Sequence, residues 1–229
     1  PYVSHLRAYG PTVRDGLGEL ADVGDQARVA VHASHLWGRP ADIATAFADA
    51  ATRGVEVSFD MYPYVWSSTI LAMLVLPPAI LAGGPLAALD RLRDPVVRTG
   101  LLGTDKLGEP ALARIILGYL PDSHAHLAGR TLAEAAAAEL RPAGGWTLDL
   151  LIDTALQVGA HLDRPGLTEP DLTWIVTHDR HCAGSDGIYR GQHPHPRGYG
   201  AFARLAGFYL DDTGRLDHQG AGTDDPFPQ

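Results

Sequence analysis

Two hydrophobic periods take turns along this chain. Residues 29–34 form a short apolar run bounded by polar residues, the pattern of a buried strand. Residues 40–52 read as a helix, with Ile43, Ala44, Phe47 and Ala51 on one face and Gly54 just past its end. Residues 55–59 make the next strand. Ahead of these, 16–24 reads as a helix following a strand stub at 2–6. The order strand–helix–strand–helix–strand implies parallel pairing through right-handed crossovers.

The middle of the chain changes character. Between 69 and 112, short helical pieces are separated by Gly-Gly, Pro-Pro and Asp-Pro breaks, an excursion from the repeating unit. Thr131 and Glu134 then make a capping box that starts a helix running through the alanines to Leu140. Residues 146–159 and 170–178 predict further helices, 181–184 a short strand and 199–210 the last helix. No internal repeat is present.

About four strand-to-loop junctions result, against the eight of a complete barrel of about 250 residues. The expected fold is α/β: a partial TIM-like (β/α)8 barrel, later strands only, over 1–216, with 69–112 as a helical insertion or lid. A doubly wound sheet is the runner-up, without a Gly-rich phosphate loop to support it. Residues 217–229, rich in Gly, Asp and Pro, predict a disordered tail. The chain opens at Pro1 directly into a strand and reads as a piece of a longer protein.

Composition narrows the function classes. The 229 residues are 45% hydrophobic and 20% charged, enough for one sizeable core. A net charge of −9 argues against a nucleic-acid groove or a polybasic membrane patch. No apolar run reaches the roughly 20 residues of a membrane span. The single cysteine, Cys182, excludes an internal disulfide and fits a cytoplasmic setting. The expected partner is a small molecule; oligomeric state is not legible.

Polar residues just past the carboxyl ends of parallel strands are where such folds place their chemistry. His5 follows the first strand, His35 the second, Tyr62 and Tyr64 the third, and Asp186 the strand at 181–184. Two imidazoles and a carboxylate on one rim suit zinc and a base for its water. Each also has a plainer reading: a histidine at a strand end is often structural, and Gly-Ser-Asp-Gly can be a tight turn. His32, three residues before His35, should face the opposite side of its strand. His124 and His126 do not sit clearly at a strand end. Arg197, on a loop stiffened by Pro194 and Pro196, suits bidentate capture of a carboxylate, though a solvated surface arginine would read the same. Cys182 reads as an inert core thiol.

Several strings carry a resemblance. Tyr-Val-Ser-His-Leu-Arg at 2–7, Val-His-Ala-Ser-His at 31–35, Phe-Asp-Met-Tyr-Pro-Tyr at 59–64, Gly-Ser-Asp-Gly at 184–187 and His-Pro-Arg-Gly-Tyr-Gly at 195–200, with Phe202 and Arg204, occur in one order. Together with Gly-Arg-Thr-Leu at 129–132 they resemble the D-aminoacylase (N-acyl-D-amino-acid deacylase) family of the amidohydrolase superfamily. The resemblance implies a distorted (β/α)8 barrel that uses Zn2+ to hydrolyse the amide of an N-acyl-D-amino acid. It implies that His5 and His35 ligate metal and that Asp186 is general base and acid. It further implies that Tyr62 and Ser68 contact substrate or polarise its carbonyl, and that Arg197 holds the substrate carboxylate. The family's His-x-His first-strand motif and its cysteine ligand are missing here, and Trp37 stands where some members have lysine. The tail departs from the family after Leu216. Two other readings stay open: a truncated, inactive chain, and a related amidohydrolase acting on cyclic amides, which would not need Arg197.

Overall fold

The computed structural model describes residues 1–207. The expected disordered tail and the end of the last helix beyond Gly207 lie outside those residues. The described residues divide into two compact units: 1–65, 164–188 and 196–207 form the first, and 66–163 with 189–195 the second.

The first unit is built on a four-stranded parallel sheet. Its strands are β1 (Tyr2–Ser4), β2 (Val31–Ala33), β3 (Val57–Met61) and β7 (His181–Ala183), in the order β1-β2-β3-β7. Tyr2 pairs with Val31, Val31 with Val57, and Phe59 with His181, so the carboxyl ends of all four strands fall on one edge of the sheet. Helices Val13–Ala27, Pro40–Thr52, Glu169–Val176 and Arg197–Gly207 belong to the same unit. Val31, Ala33, Val57, Phe59 and Met61 are buried in one core with Leu17, Leu20, Ile43, Phe47, Leu172 and Ile175.

Local sequence explains these elements. Pro40 sits in the first turn of helix Pro40–Thr52, where its missing N–H costs nothing, and Arg39 Nε donates to Asp42 at 2.6 Å. The buried stripe of that helix is Ile43, Ala46, Phe47 and Ala50. The expected Ala44 and Ala51 face solvent instead, because an i, i+3, i+4, i+7 ridge packs on the sheet. Helix Val13–Ala27 ends at Arg28, whose left-handed backbone (φ 53°) lets its N–H reach the carbonyls of Asp25 and Gly24. Gly24 is dictated by contact: a Cβ there would lie 2.7 Å from Val55 Cγ1 and 2.9 Å from Val31 Cγ1.

The second unit is larger than the 69–112 excursion and has a sheet of its own. Strands β4 (Trp66–Ile70), β5 (Ile116–Tyr119) and β6 (Gly159–Asp163) pair antiparallel in the order β4-β6-β5. None of the three is visible in the hydrophobic pattern. β4, Trp-Ser-Ser-Thr-Ile, is a half-buried edge strand and shows no alternation of apolar residues. Helix Ala143–Asp153 stops well short of the expected end at 159, because Ala155 and Leu156 turn left-handed and β6 begins at Gly159. The Thr131 capping box is present as read. Glu134 N donates to Thr131 Oγ1 at 3.1 Å, and Thr131 N donates to Glu134 Oε2 at 2.9 Å. Leu92, Leu112, Leu117, Leu132, Leu148, Leu151 and Ala160 are fully buried in this unit's own core.

No helix among the described residues is long and apolar enough to cross a membrane.

Two measurements check this packing. Gly24→Val should lower unfolding free energy by about 1–3 kcal/mol in denaturant titration, since the helix must move off Val31 and Val55. His181, packed 5.6 Å from the Phe59 ring and bonded to the Met61 carbonyl at 2.9 Å, has its pKa lowered, chiefly by burial. A histidine whose folded pKa lies below its unfolded value binds its proton less readily when folded, so it costs stability as pH falls below about 6.5. Unfolding titrations at pH 7 and 5 should show this loss, and His181→Gln should flatten it.

Candidate active site

The edge where the four parallel strands end carries the candidate chemistry, starting from a strained turn. His35 leaves β2 with a left-handed backbone (φ 41°), a conformation that costs a non-glycine residue energy unless its surroundings hold it. Asp60 at the end of β3 holds it twice. Its carboxylate Oδ1 accepts the His35 N–H at 2.8 Å, and its backbone carbonyl accepts the Leu36 N–H at 2.8 Å. The other carboxylate oxygen, Oδ2, meets His32 Nε2 at 3.0 Å, and His32 Nδ1 meets Ser58 Oγ at 2.8 Å. His32 therefore reaches across to β3.

This turn aims the His35 ring at His5. His5 Nδ1 and His35 Nε2 lie 2.5 Å apart, with ring centroids 4.6 Å apart. One ring must donate and the other accept, so the pair carries at least one neutral imidazole with its lone pair facing inward. Burial lowers the pKa of His35; the Asp186 carboxylate nearby opposes this shift, and His5 adds to it. Tyr9 closes the same turn: its hydroxyl accepts from Leu6 N at 2.8 Å and donates to the Ser34 carbonyl at 3.1 Å. Burial pushes the pKa of Tyr9 up to about 12.

Asp186 belongs to the loop after β7 and also has a left-handed backbone (φ 44°). Gly184, two residues before it, packs closely on Asp60: a Cβ there would sit 3.1 Å from Asp60 Oδ1. The Gly-Ser-Asp-Gly string is thus a loop whose first glycine packs on the aspartate holding His35. Asp186 Oδ2 pairs with Arg197 Nη2 at 2.9 Å. Arg197, the first residue of its helix, is 1% exposed, whereas the Asp186 side chain is 39% exposed.

Arg197 Nη1 donates to the Tyr62 hydroxyl at 2.7 Å, and Arg164 Nη2 donates to the same oxygen. Both guanidinium carbons lie 4.6 Å from the Tyr62 ring centroid. A phenol oxygen has two lone pairs and one proton, so two N–H donors on it leave the hydroxyl to act as a donor. Tyr62 is fully buried and Arg164 is 5% exposed.

The residues expected at the site are thus grouped as follows. His5 meets His35, and Asp186, Arg197 and Tyr62 form one connected cluster. Ser68 lies on β4 of the second unit, in register with His161 of β6. His124 and His126 lie in a 3-10 helix of that unit, and its His161 bonds the His193 carbonyl at 2.8 Å. Cys182 is half-buried, with its thiol pKa raised by burial.

Sequence reasoning missed Arg164, Asp60 and Tyr9. A charged residue inside the buried run of β3 was the available signal for Asp60. Arg164, before Pro165 and Gly166, reads as an ordinary loop arginine.

A structural zinc takes four donors and a catalytic one generally three from the protein. Among the described residues no group of three or more His, Cys, Asp or Glu side chains is arranged to hold a metal ion. The His5–His35 pair thus fits part of a zinc site and does not complete one.

No family model matches the chain. It is 28% identical over 227 residues to N-acyl-D-glutamate deacylase of Alcaligenes xylosoxydans xylosoxydans, covering 96% of this chain and 38% of that protein. It is also 28% identical over 229 residues to D-aminoacylase of the same organism, covering 93% and 37%. The chain is thus similar in sequence to part of these two deacylases. The crystal structure of N-acyl-D-glutamate deacylase from Bordetella bronchiseptica, complexed with zinc and a phosphonate mimic of the tetrahedral intermediate, superposes with a TM-score of 0.66. That match is 23% identical and covers 96% of this chain and 39% of the other, so it supports the fold. The mixed α/β architecture resembles part of that deacylase structure, and the chain spans under two-fifths of the length of the relatives it matches.

Asp60→Ala should release the His35 N–H and the His32 ring together. Loss of about 1–3 kcal/mol in unfolding free energy is expected, with the His35 ring resonance shifting in NMR spectra.

Proposed function

We propose that this D-aminoacylase relative carries the carboxylate-binding and acid–base part of a zinc-dependent deacylase acting on N-acyl-D-amino acids. The observation that carries this reading is the Asp186–Arg197–Tyr62 cluster on the same sheet edge as the His5–His35 pair. In the same reading the four parallel strands are the later strands of a (β/α)8 barrel, and Ser68 contacts substrate.

The chemistry of each residue follows from its surroundings. Arg197, buried and presenting a planar fork, binds the substrate carboxylate. Tyr62, with its lone pairs occupied by arginine N–H groups, donates its proton to the scissile carbonyl and steadies the oxyanion. Asp186, the half-exposed member, accepts a proton from attacking water and returns it to the leaving amine. Asp186 and the substrate carboxylate share Arg197, so substrate binding draws the arginine away from the base. His5 and His35 would supply two zinc donors, with further donors from residues beyond these. Zinc, if so held, would act as a Lewis acid and would lower the pKa of water to roughly 7.

A second reading, a chain that binds ligand without turnover, is favoured by the two-donor count. Zinc content and release of D-methionine from N-acetyl-D-methionine separate them. Stoichiometric zinc with turnover supports the deacylase, and absence of both sinks it for this chain. Arg197→Ala should weaken N-acetyl-D-methionine binding by about 1.5–3 kcal/mol, measured by calorimetry. Unchanged affinity would favour the cyclic-amide alternative.

A further inference from the structure

Arg164 is a cation buried without an anion. It is 5% exposed, and no ion pair among the described residues involves it. Its contacts are polar or soft but uncharged: Nη1 donates to the Tyr64 carbonyl at 3.2 Å and meets Met61 Sδ at 3.5 Å, and Nη2 donates to the Tyr62 hydroxyl. Its Nε is buried with no hydrogen-bond partner. Nε and Nη2 share the guanidinium edge that receives a carboxylate side-on through parallel N–H bonds.

Burying a charge is strongly unfavourable unless something of opposite sign faces it. Arg164 and Arg197 converge on one hydroxyl, which places two positive groups side by side; Asp186 pairs directly with Arg197 and reaches Arg164 only through space. A carboxylate brought against the Arg164 Nε–H would give it a direct counter-charge.

The geometry points to Arg164 as a second residue that grips the substrate carboxylate, sharing it with Arg197 across the Tyr62 hydroxyl. This inference rests on the deacylase reading above, in which the substrate brings one carboxylate to this cluster. The Nε–H left without an acceptor is what separates a ligand-gripping arginine from one that only braces Tyr62 and the Tyr64 carbonyl. A purely bracing arginine would leave carboxylate affinity unmoved once the fold is intact.

The test uses the purified 229-residue chain with Arg164→Met and Arg164→Lys variants at matched ionic strength. The probes are sodium acetate, N-acetyl-D-methionine and, as a carboxylate-free control, N-acetyl-D-methioninamide. Acetate should raise the Tm of the unsubstituted chain and leave that of R164M unchanged. N-acetyl-D-methionine should bind R164M about tenfold or more less tightly, with the amide equal for both. R164K, which keeps the charge and loses the side-on edge, should fall between and carries the test if R164M does not fold. Equal binding of the acid by the unsubstituted chain and either folded variant overturns the role of Arg164 and leaves the deacylase reading standing. An acetate effect that needs Arg164, without binding of N-acetyl-D-methionine, supports the anion site and overturns the deacylase reading. No response of the unsubstituted chain to either probe overturns both.

Discussion

The carboxylate of Asp60 ties the candidate site to the sheet. It sits at the end of β3, in register with Cys182 of β7, and it accepts the N–H of His35 just past β2. Without an acceptor there, a histidine at φ 41° would relax toward the ordinary extended or helical regions. Its ring would then no longer face His5. The second oxygen of the same carboxylate binds His32 of β2, whose other nitrogen reaches Ser58 of β3, so Asp60 is itself braced by the neighbouring strand. Gly184 lies close against it, where a Cβ would make a tight contact. One side chain thus connects β2, β3 and the loop after β7.

A second constraint is electrostatic. Tyr62 lies between two guanidinium groups, each 4.6 Å from its ring, and its oxygen receives a bond from both. Stacking on the negative face of an aromatic ring offsets part of the cost of burying such cations. Burial and the neighbouring Arg197 hold the pKa of Arg164 below its ordinary value. Asp186 is the exposed member of this group and the one that also acts on His35, so the cluster links the histidine pair to the arginines through a single carboxylate.

The second unit follows a different logic. Its antiparallel sheet and surrounding short helices bury a leucine- and alanine-rich core of their own. It takes Ser68 and the His161–His193–His195 group out of the parallel-sheet framework. Breaks such as Pro77-Pro78 and Gly83-Gly84 mark the helix starts in this region but carry no period that would reveal β4, β5 or β6.

Sequence alone determined the strand–helix alternation at 29–59, because buried parallel strands must be short apolar runs and their helices amphipathic. It also determined that His5, His35, Tyr62 and Asp186 follow strand ends, since that depends only on order along the chain. The family resemblance was legible for the same reason: its motifs are local strings. Contacts made at long sequence separation were decided only by the tertiary structure. Asp60 holds His35 from 25 positions away, Arg164 reaches Tyr62 from 102 and Arg197 from 135. No local pattern records such pairings, because an arginine in a polar loop looks the same whether it faces solvent or a buried tyrosine.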